Sequence, residues 1–206
     1  LVSHLAEGGS LYDAMMEDPT DAWAMLDPVA KLRSLLGAVA AVAHMHAIGV
    51  IHGDVKPRNV LLAMPVEGGG EPVCLVCDFG LAKTIGTVRS SVRRSALTSG
   101  MDADGGTVGC MAPETSARNE VVAASDVFCL ALVVWSGLTG DEAFEGVHDV
   151  ATYKLLVNDN GLRPDLGALP SGCPDGLADL LARCWAADPS ARPSAACMVD
   201  ELTRLT

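Results

Sequence analysis

Positive charge is scarce in this chain. Its 206 residues carry 14 Lys and Arg against 26 Asp and Glu, a formal net charge of -12. Nonspecific binding to nucleic acid or to an anionic membrane needs a basic surface, so the composition excludes both as a main activity. Long apolar runs are also missing. The longest, Val127 to Trp135, falls well short of the ~20 residues that span a bilayer, so no membrane segment is expected. The opening LVSHLAEGGS has neither the basic flank nor the apolar core of a secretory leader, and it lacks an initiator Met, so we expect a piece of a longer chain. Zinc ligands are lacking: Cys74 and Cys77 form a C-x-x-C, but no second pair stands at metal-site spacing. VCLVC reads as strand, on which residues three apart face opposite sides. The 7 cysteines, an odd number, are read as reduced core thiols of a cytoplasmic protein.

What is present is a globular profile, 50% hydrophobic and 19% charged, with enough chain for one sizeable core and no internal repeat or interdomain linker. LVSHLA reads as the end of a strand and EGGS as the turn after it. Ser10 is placed to cap a short helix ending at Met16. Asp27 and Pro28 open a long helix to about His46, with Leu32, Leu35, Leu36, Val39, Val42 and Ala43 at helical spacing, and Gly49 stops it. Short apolar runs at Val60–Leu62 and Val73–Cys77, joined through EGGGEP, predict a hairpin. Residues 83–109, rich in Ser, Thr and Gly, predict a long mobile loop. Asp126 is expected to head a helix to Leu138 that is apolar on nearly every face and therefore central to the core. Weaker helices are expected near 148–157 and 176–185. Ser194 is expected to cap a last one, with Ala195, Met198, Val199, Leu202 and Leu205 on one stripe. His44 and His46 read as ordinary residues of the long helix, and His52 as a packed, hydrogen-bonded spacer.

The chemistry concentrates in IHGDVKPRNVLL at 51–62 and CDFG at 77–80. A hairpin returns its ends to one place, so Asn59 and Asp78 are expected side by side. An amide oxygen and a carboxylate there suit Mg²⁺, a hard cation that needs one or two protein carboxylates plus phosphate oxygens. Asp54 is placed to take a proton from a hydroxyl, and Lys56 adds positive charge where a transferring phosphoryl group gathers negative charge. Singly, each reads as a turn acid or a solvated lysine. Together, D-x-K-x-x-N followed by D-F-G is not a chance pattern.

In these residues the chain resembles the protein kinase family, and specifically its C-terminal lobe. HGDVKPRN matches the catalytic loop and DFG the magnesium motif. GGTVGCMAPE, SDVFCLALVVW and CWAADPSARPS match later family segments in order, and LVSHLAEGGSL resembles the hinge between the lobes. The resemblance implies a mainly α (α+β) fold: a kinase-like C-terminal lobe with a small hairpin at the cleft, and no N-terminal lobe apart from the hinge strand. Residues 1–206 would form one partial kinase domain. It implies a protein serine/threonine kinase, most like the tyrosine-kinase-like group, that uses ATP and Mg²⁺ to phosphorylate Ser or Thr of a protein substrate; the alternative is a pseudokinase scaffold docking partners on the helices near 148–185. Carried over by position, Asp54 is the base and Lys56 contacts the transferred phosphate. Asn59 and Asp78 hold the metal, Leu61 floors the adenine pocket, and the backbone of His4, Leu5 and Ala6 bonds the adenine edge. Thr107 would stand beside Asp54, Ser3 behind the adenine, and Cys77 at the border of the nucleotide site. Glu114 and Arg192 would form a buried ion pair. Asp126, a helix cap by its residue type, would instead receive catalytic-loop N–H groups.

The departures are as specific as the matches. Gly53 replaces the family's arginine before the base, the residue that grips a phosphorylated activation loop, so phosphorylation at Thr84, Thr87, Ser90, Ser91, Ser95, Thr98 or Ser99 should matter less for ordering the site. The glycine-rich loop, the Val-Ala-x-Lys strand and the helix-borne glutamate that clamp the phosphates do not occur in these residues. A cleft face stripped of those parts is expected to expose apolar surface.

Overall fold

The protein is described here by a computed structural model covering residues 6–16, 23–65, 70–84 and 108–206. Its architecture is mostly helical with a few short strands. The first helix, α1 (Leu11–Met16), is fixed by a reciprocal cap: the Ser10 hydroxyl accepts from the Asp13 N–H at 3.2 Å and donates to the Asp13 carboxylate at 2.7 Å. The long helix α2 (Pro28–Ala47) begins as its sequence predicts, with the Asp27 carboxylate accepting from the Ala30 N–H at 2.9 Å and Pro28 in the first turn.

Two antiparallel pairs of strands follow. β2 (Val60–Ala63) and β3 (Val73–Val76) form the expected hairpin, in the register Val60↔Val76 to Ala63↔Val73. The other pair, β1 (Val50–Ile51) with β4 (Lys83–Thr84), is a correction to the loop predicted from residue 83, whose first two residues are strand. Residues 85–107 lie outside the described residues, and with them most of that expectation. Helix α2 lies against β3 so closely that a Cβ at Gly37 would stand 2.7 Å from the Cys74 carbonyl oxygen. That contact explains a glycine in mid-helix, where it otherwise costs about 1 kcal/mol relative to Ala.

The second half contains α3 (Pro113–Arg118), α4 (Ala123–Thr139), α5 (Val150–Tyr153) continuing as a π-helical stretch (Lys154–Asp159), α6 (Leu177–Cys184) and α7 (Ala195–Leu205). Every residue of α4 from Ser125 to Leu138 is buried, as a helix apolar on nearly every face requires. Its start differs from the prediction: α4 begins three residues before Asp126, and the free Val122 N–H is taken by the Ser125 hydroxyl at 3.1 Å. Asp126 is therefore not its cap. Helices α2, α6 and α7 contribute apolar stripes to the same core, including Leu32, Leu35, Leu181, Met198 and Leu202, and Ser194 caps α7 through the Cys197 N–H. Each fully buried Leu or Phe there contributes about 1.5–3 kcal/mol of transfer free energy.

Candidate active site

The loop between β1 and β2 is anchored by alternation. Val55, Pro57 and Asn59 point into the protein and are buried, while Asp54, Lys56 and Arg58 on the other side remain partly exposed. Pro57 starts a 3-10 turn, Pro57–Asn59, that brings Asn59 back onto Asp54. The Asn59 amide nitrogen donates to the Asp54 backbone carbonyl at 2.8 Å and to Asp54 Oδ2 at 3.0 Å. Lys56 Nζ stands 3.1 Å from the same Oδ2. One carboxylate oxygen thus takes a cation and an amide donor, and no donor among the described residues meets Oδ1.

A buried carboxylate holds the loop from below. Asp126 accepts the His52 N–H on Oδ2 and the Gly53 N–H on Oδ1, both at 2.8 Å. This is the role the resemblance implies. Oδ2 also meets His46 Nε2 at 2.8 Å, so His46, expected to be an ordinary helix residue, belongs to the support of the site. His52 is fully buried; its Nε2 bonds the Cys77 carbonyl at 3.0 Å and its Nδ1 accepts the Asp54 N–H at 3.2 Å. A ring that donates at Nε2 and accepts at Nδ1 is a spacer in a fixed tautomer, as predicted.

The hairpin brings in the second acid. Cys77 N–H donates to the Asn59 carbonyl at 2.9 Å, which extends the β2–β3 pairing by one residue and sets Asp78 just beyond it. Asp78 takes left-handed angles, φ 62° and ψ 74°, uncommon for a residue with a side chain; its Oδ1 accepts the Gly80 N–H at 3.2 Å. The Phe79 ring leans on His52, centroid to centroid 5.4 Å, although Phe79 is largely exposed. Burial raises the Cys77 thiol pKa, and the Asp78 charge adds to the effect.

Of the residues expected to meet adenine, Leu61 lies on β2, and the backbone just after Ala6 runs beside it. Gly8 N–H donates to the Leu62 carbonyl at 3.0 Å, and Ser10 bridges Leu61. Ala6 itself is half-buried. His4, Leu5, Ser3 and Thr107 lie outside the described residues. Val73 and Leu75, which pair with Ala63 and Leu61, are exposed, so the hairpin presents two apolar side chains on one face. Two contributors escaped the sequence reading. His46 meets a partner 80 residues away, and Tyr12 stacks on Arg58 with the guanidinium carbon 3.5 Å from the ring centroid. No local signal marks either.

Away from the loop, Glu114 and Arg192 form the expected buried pair, bidentate at 2.8 Å on both oxygens; the Ser125 hydroxyl gives Glu114 a further bond at 2.6 Å. All 7 cysteines are free. Among the described residues no helix is long and apolar enough to cross a membrane, and none of their His, Cys, Asp or Glu side chains cluster in threes that could hold a metal.

Residues 1–202 match the family model described as protein tyrosine and serine/threonine kinase. Mitogen-activated protein kinase kinase kinase 11 of Rattus norvegicus is 35% identical over 161 residues, which is 77% of this chain and 17% of that protein. Mitogen-activated protein kinase kinase kinase 7 is 31% identical over 206 residues, all of this chain, and 32% of the Bos taurus protein or 31% of the Homo sapiens one. The chain thus spans less than a third of the length of these relatives.

Proposed function

Since the chain belongs to the protein tyrosine and serine/threonine kinase family, we propose that it is the hinge and C-terminal lobe, residues 1–206, of a protein serine/threonine kinase of the cytoplasm. In this reading it moves the γ-phosphate of ATP to a Ser or Thr hydroxyl of a protein substrate. The observation that carries the proposal is the convergence of Lys56 Nζ and Asn59 Nδ2 on Asp54 Oδ2; no donor among the described residues meets the other carboxylate oxygen, which is the one assigned to accept a hydroxyl proton. The similarity to two mitogen-activated protein kinase kinase kinases, by name kinases that act on kinases, supports a protein as the substrate.

The side chains fit a magnesium ion. Asn59 spends its nitrogen on Asp54, and no donor among the described residues meets its amide oxygen; Asp78 is exposed and gives only Oδ1 to the Gly80 N–H. An amide oxygen and one carboxylate suffice, because Mg²⁺ takes its remaining ligands from phosphates and water. Bound Mg²⁺-ATP would supply the electrophilic phosphorus and neutralise its oxygens. The chain's own part is to orient the acceptor hydroxyl at Asp54, take up its proton there, and place the Lys56 charge beside the developing negative charge. Leu61 and the backbone of His4 to Ala6 are assigned to adenine. The exposed apolar side chains of Val73 and Leu75 are consistent with further structure packing on that face of the hairpin.

The test is phosphate transfer from ATP by the full-length protein to a Ser/Thr peptide library. Asp54→Asn keeps the shape of the loop and should lower kcat by about 10²–10⁴-fold, the usual worth of a general base. Equal rates in wild type and variant would remove Asp54 from the role of base.

A further inference from the structure

A cavity of about 80 Å³ lies directly beside the Asp54–Lys56 pair. Lys56 and Arg58 form one wall, Tyr12 and Met15 of α1 a second, and Glu142 and Phe144 from the loop after α4 a third. Because Lys56 both lines this space and touches Asp54, a side chain close in sequence to a hydroxyl held at Asp54 reaches into it.

The charges on its walls are not equivalent. Lys56 is already committed to Asp54. Glu142, the one acid on the described wall, sits exposed on its loop, where water screens it. Arg58 is half-buried, and its guanidinium carbon lies over the Tyr12 ring at 3.5 Å from the centroid, with no carboxylate among the described residues paired to it. Stacking orients the guanidinium plane while leaving its N–H edge unspent, and such a planar fork matches carboxylate and phosphate geometry. The net charge of -12 opposes an anionic ligand at long range. Beyond about 8 Å, however, that field is screened at physiological salt, so contact at Arg58 decides.

We propose that Arg58, oriented by Tyr12, determines substrate specificity by receiving an anionic side chain, carboxylate or phosphate, that flanks the acceptor hydroxyl. This rests on the reading of Asp54 as the base of a protein kinase. It is tested on the full-length protein in two ways.

In the binding arm, fluorescent nonapeptides carry Ala in place of the acceptor and are flanked by Asp, by phosphoserine or by Arg. The Asp or phosphoserine peptide should bind at least about fivefold more tightly than the Arg peptide, a discrimination in the range of a partly exposed charge pair. Arg58→Glu should reverse that order and Arg58→Gln should erase it, while Glu142→Gln leaves it in place. A phosphoserine peptide that alone gains affinity identifies a primed substrate as the source of the anion. In the transfer arm, Ser-bearing versions should show the same ranking in kcat/KM. Equal binding of acidic and basic peptides, or a ranking unmoved by both Arg58 variants, overturns the proposal. Anionic preference in binding with no phosphate transfer to any peptide would keep the subsite and overturn the kinase reading instead.

Discussion

Gly53 has two explanations at once. The first, which we propose from the family resemblance, is the loss of a grip on activation-loop phosphate; the second is its backbone, which stands at φ 76°, in the left-handed region, with the N–H held by Asp126. A Cβ there would meet the Leu81 carbonyl oxygen and Val121 Cγ1, each at 3.3 Å. Any other residue therefore carries backbone strain before its side chain does anything. Gly53→Ala should cost about 1–2 kcal/mol, read as a lower urea midpoint at an unchanged slope; an unchanged midpoint would show that the loop relaxes freely. Cys77 gives a second prediction at this scale. Burial and the Asp78 charge raise its pKa, so the reactive thiolate forms only at higher pH. Alkylation by iodoacetamide should keep accelerating past the usual thiol range near pH 8.5. Mg²⁺-ATP should slow it, because Asp78 is the assigned metal ligand; labelling indifferent to nucleotide would count against that assignment.

Elements act here through their ends. The last turn of α2 carries His46, the first turn of α4 carries Asp126, and between them they hold the backbone at 52 and 53. His46→Ala leaves Asp126 its two N–H donors but removes one of three bonds, worth about 0.5–1.5 kcal/mol. If that cost falls on the position of Asp54, kcat should drop about two- to tenfold with little change in the KM for ATP. A merely structural role would lower the thermal midpoint and leave kcat alone. The same ends explain what could be read beforehand. Helices α2 and α7 were legible because their caps and apolar stripes are local, and the Asp54–Asn59 loop was legible because its members lie within six residues. β1 and β4 were not, since two-residue strands have no period and find each other across some thirty residues. Asp126 read as a cap by residue type, yet its partners lie 73, 74 and 80 residues away; Arg58 on Tyr12 is likewise long-range and carries no pattern.

At the scale of the whole molecule, the Glu114–Arg192 pair ties three separated stretches together. Glu114 stands in α3, Ser125 in the first turn of α4, and Arg192 just before α7, where it also donates to the Ala124 and Ala186 carbonyls at 2.8 and 2.9 Å. Burial works to raise the Glu114 pKa, but the bonds from Arg192 and Ser125 outweigh it, and the carboxyl titrates below its ordinary value of 4.5. A pKa lowered on folding adds stability that is fully present above the unfolded value and is lost as pH falls through the folded one. The pair should therefore stabilise the fold at neutral pH and release it progressively below about pH 4.5. Glu71 and Glu201, lowered by Arg33 and Arg183, act in the same sense, but both pairs lie at the surface, where water screens them. Glu114→Gln leaves a buried guanidinium without its counter-charge and should cost about 3–5 kcal/mol at pH 7. The variant should also lose stability less steeply than the wild type between pH 4.5 and 3, because the titrating group is gone. Thermal midpoints measured across that range separate the two effects. Parallel pH profiles would mean that acid sensitivity resides in other carboxylates, and an unchanged midpoint at pH 7 would deny the pair its role in joining α3, α4 and α7.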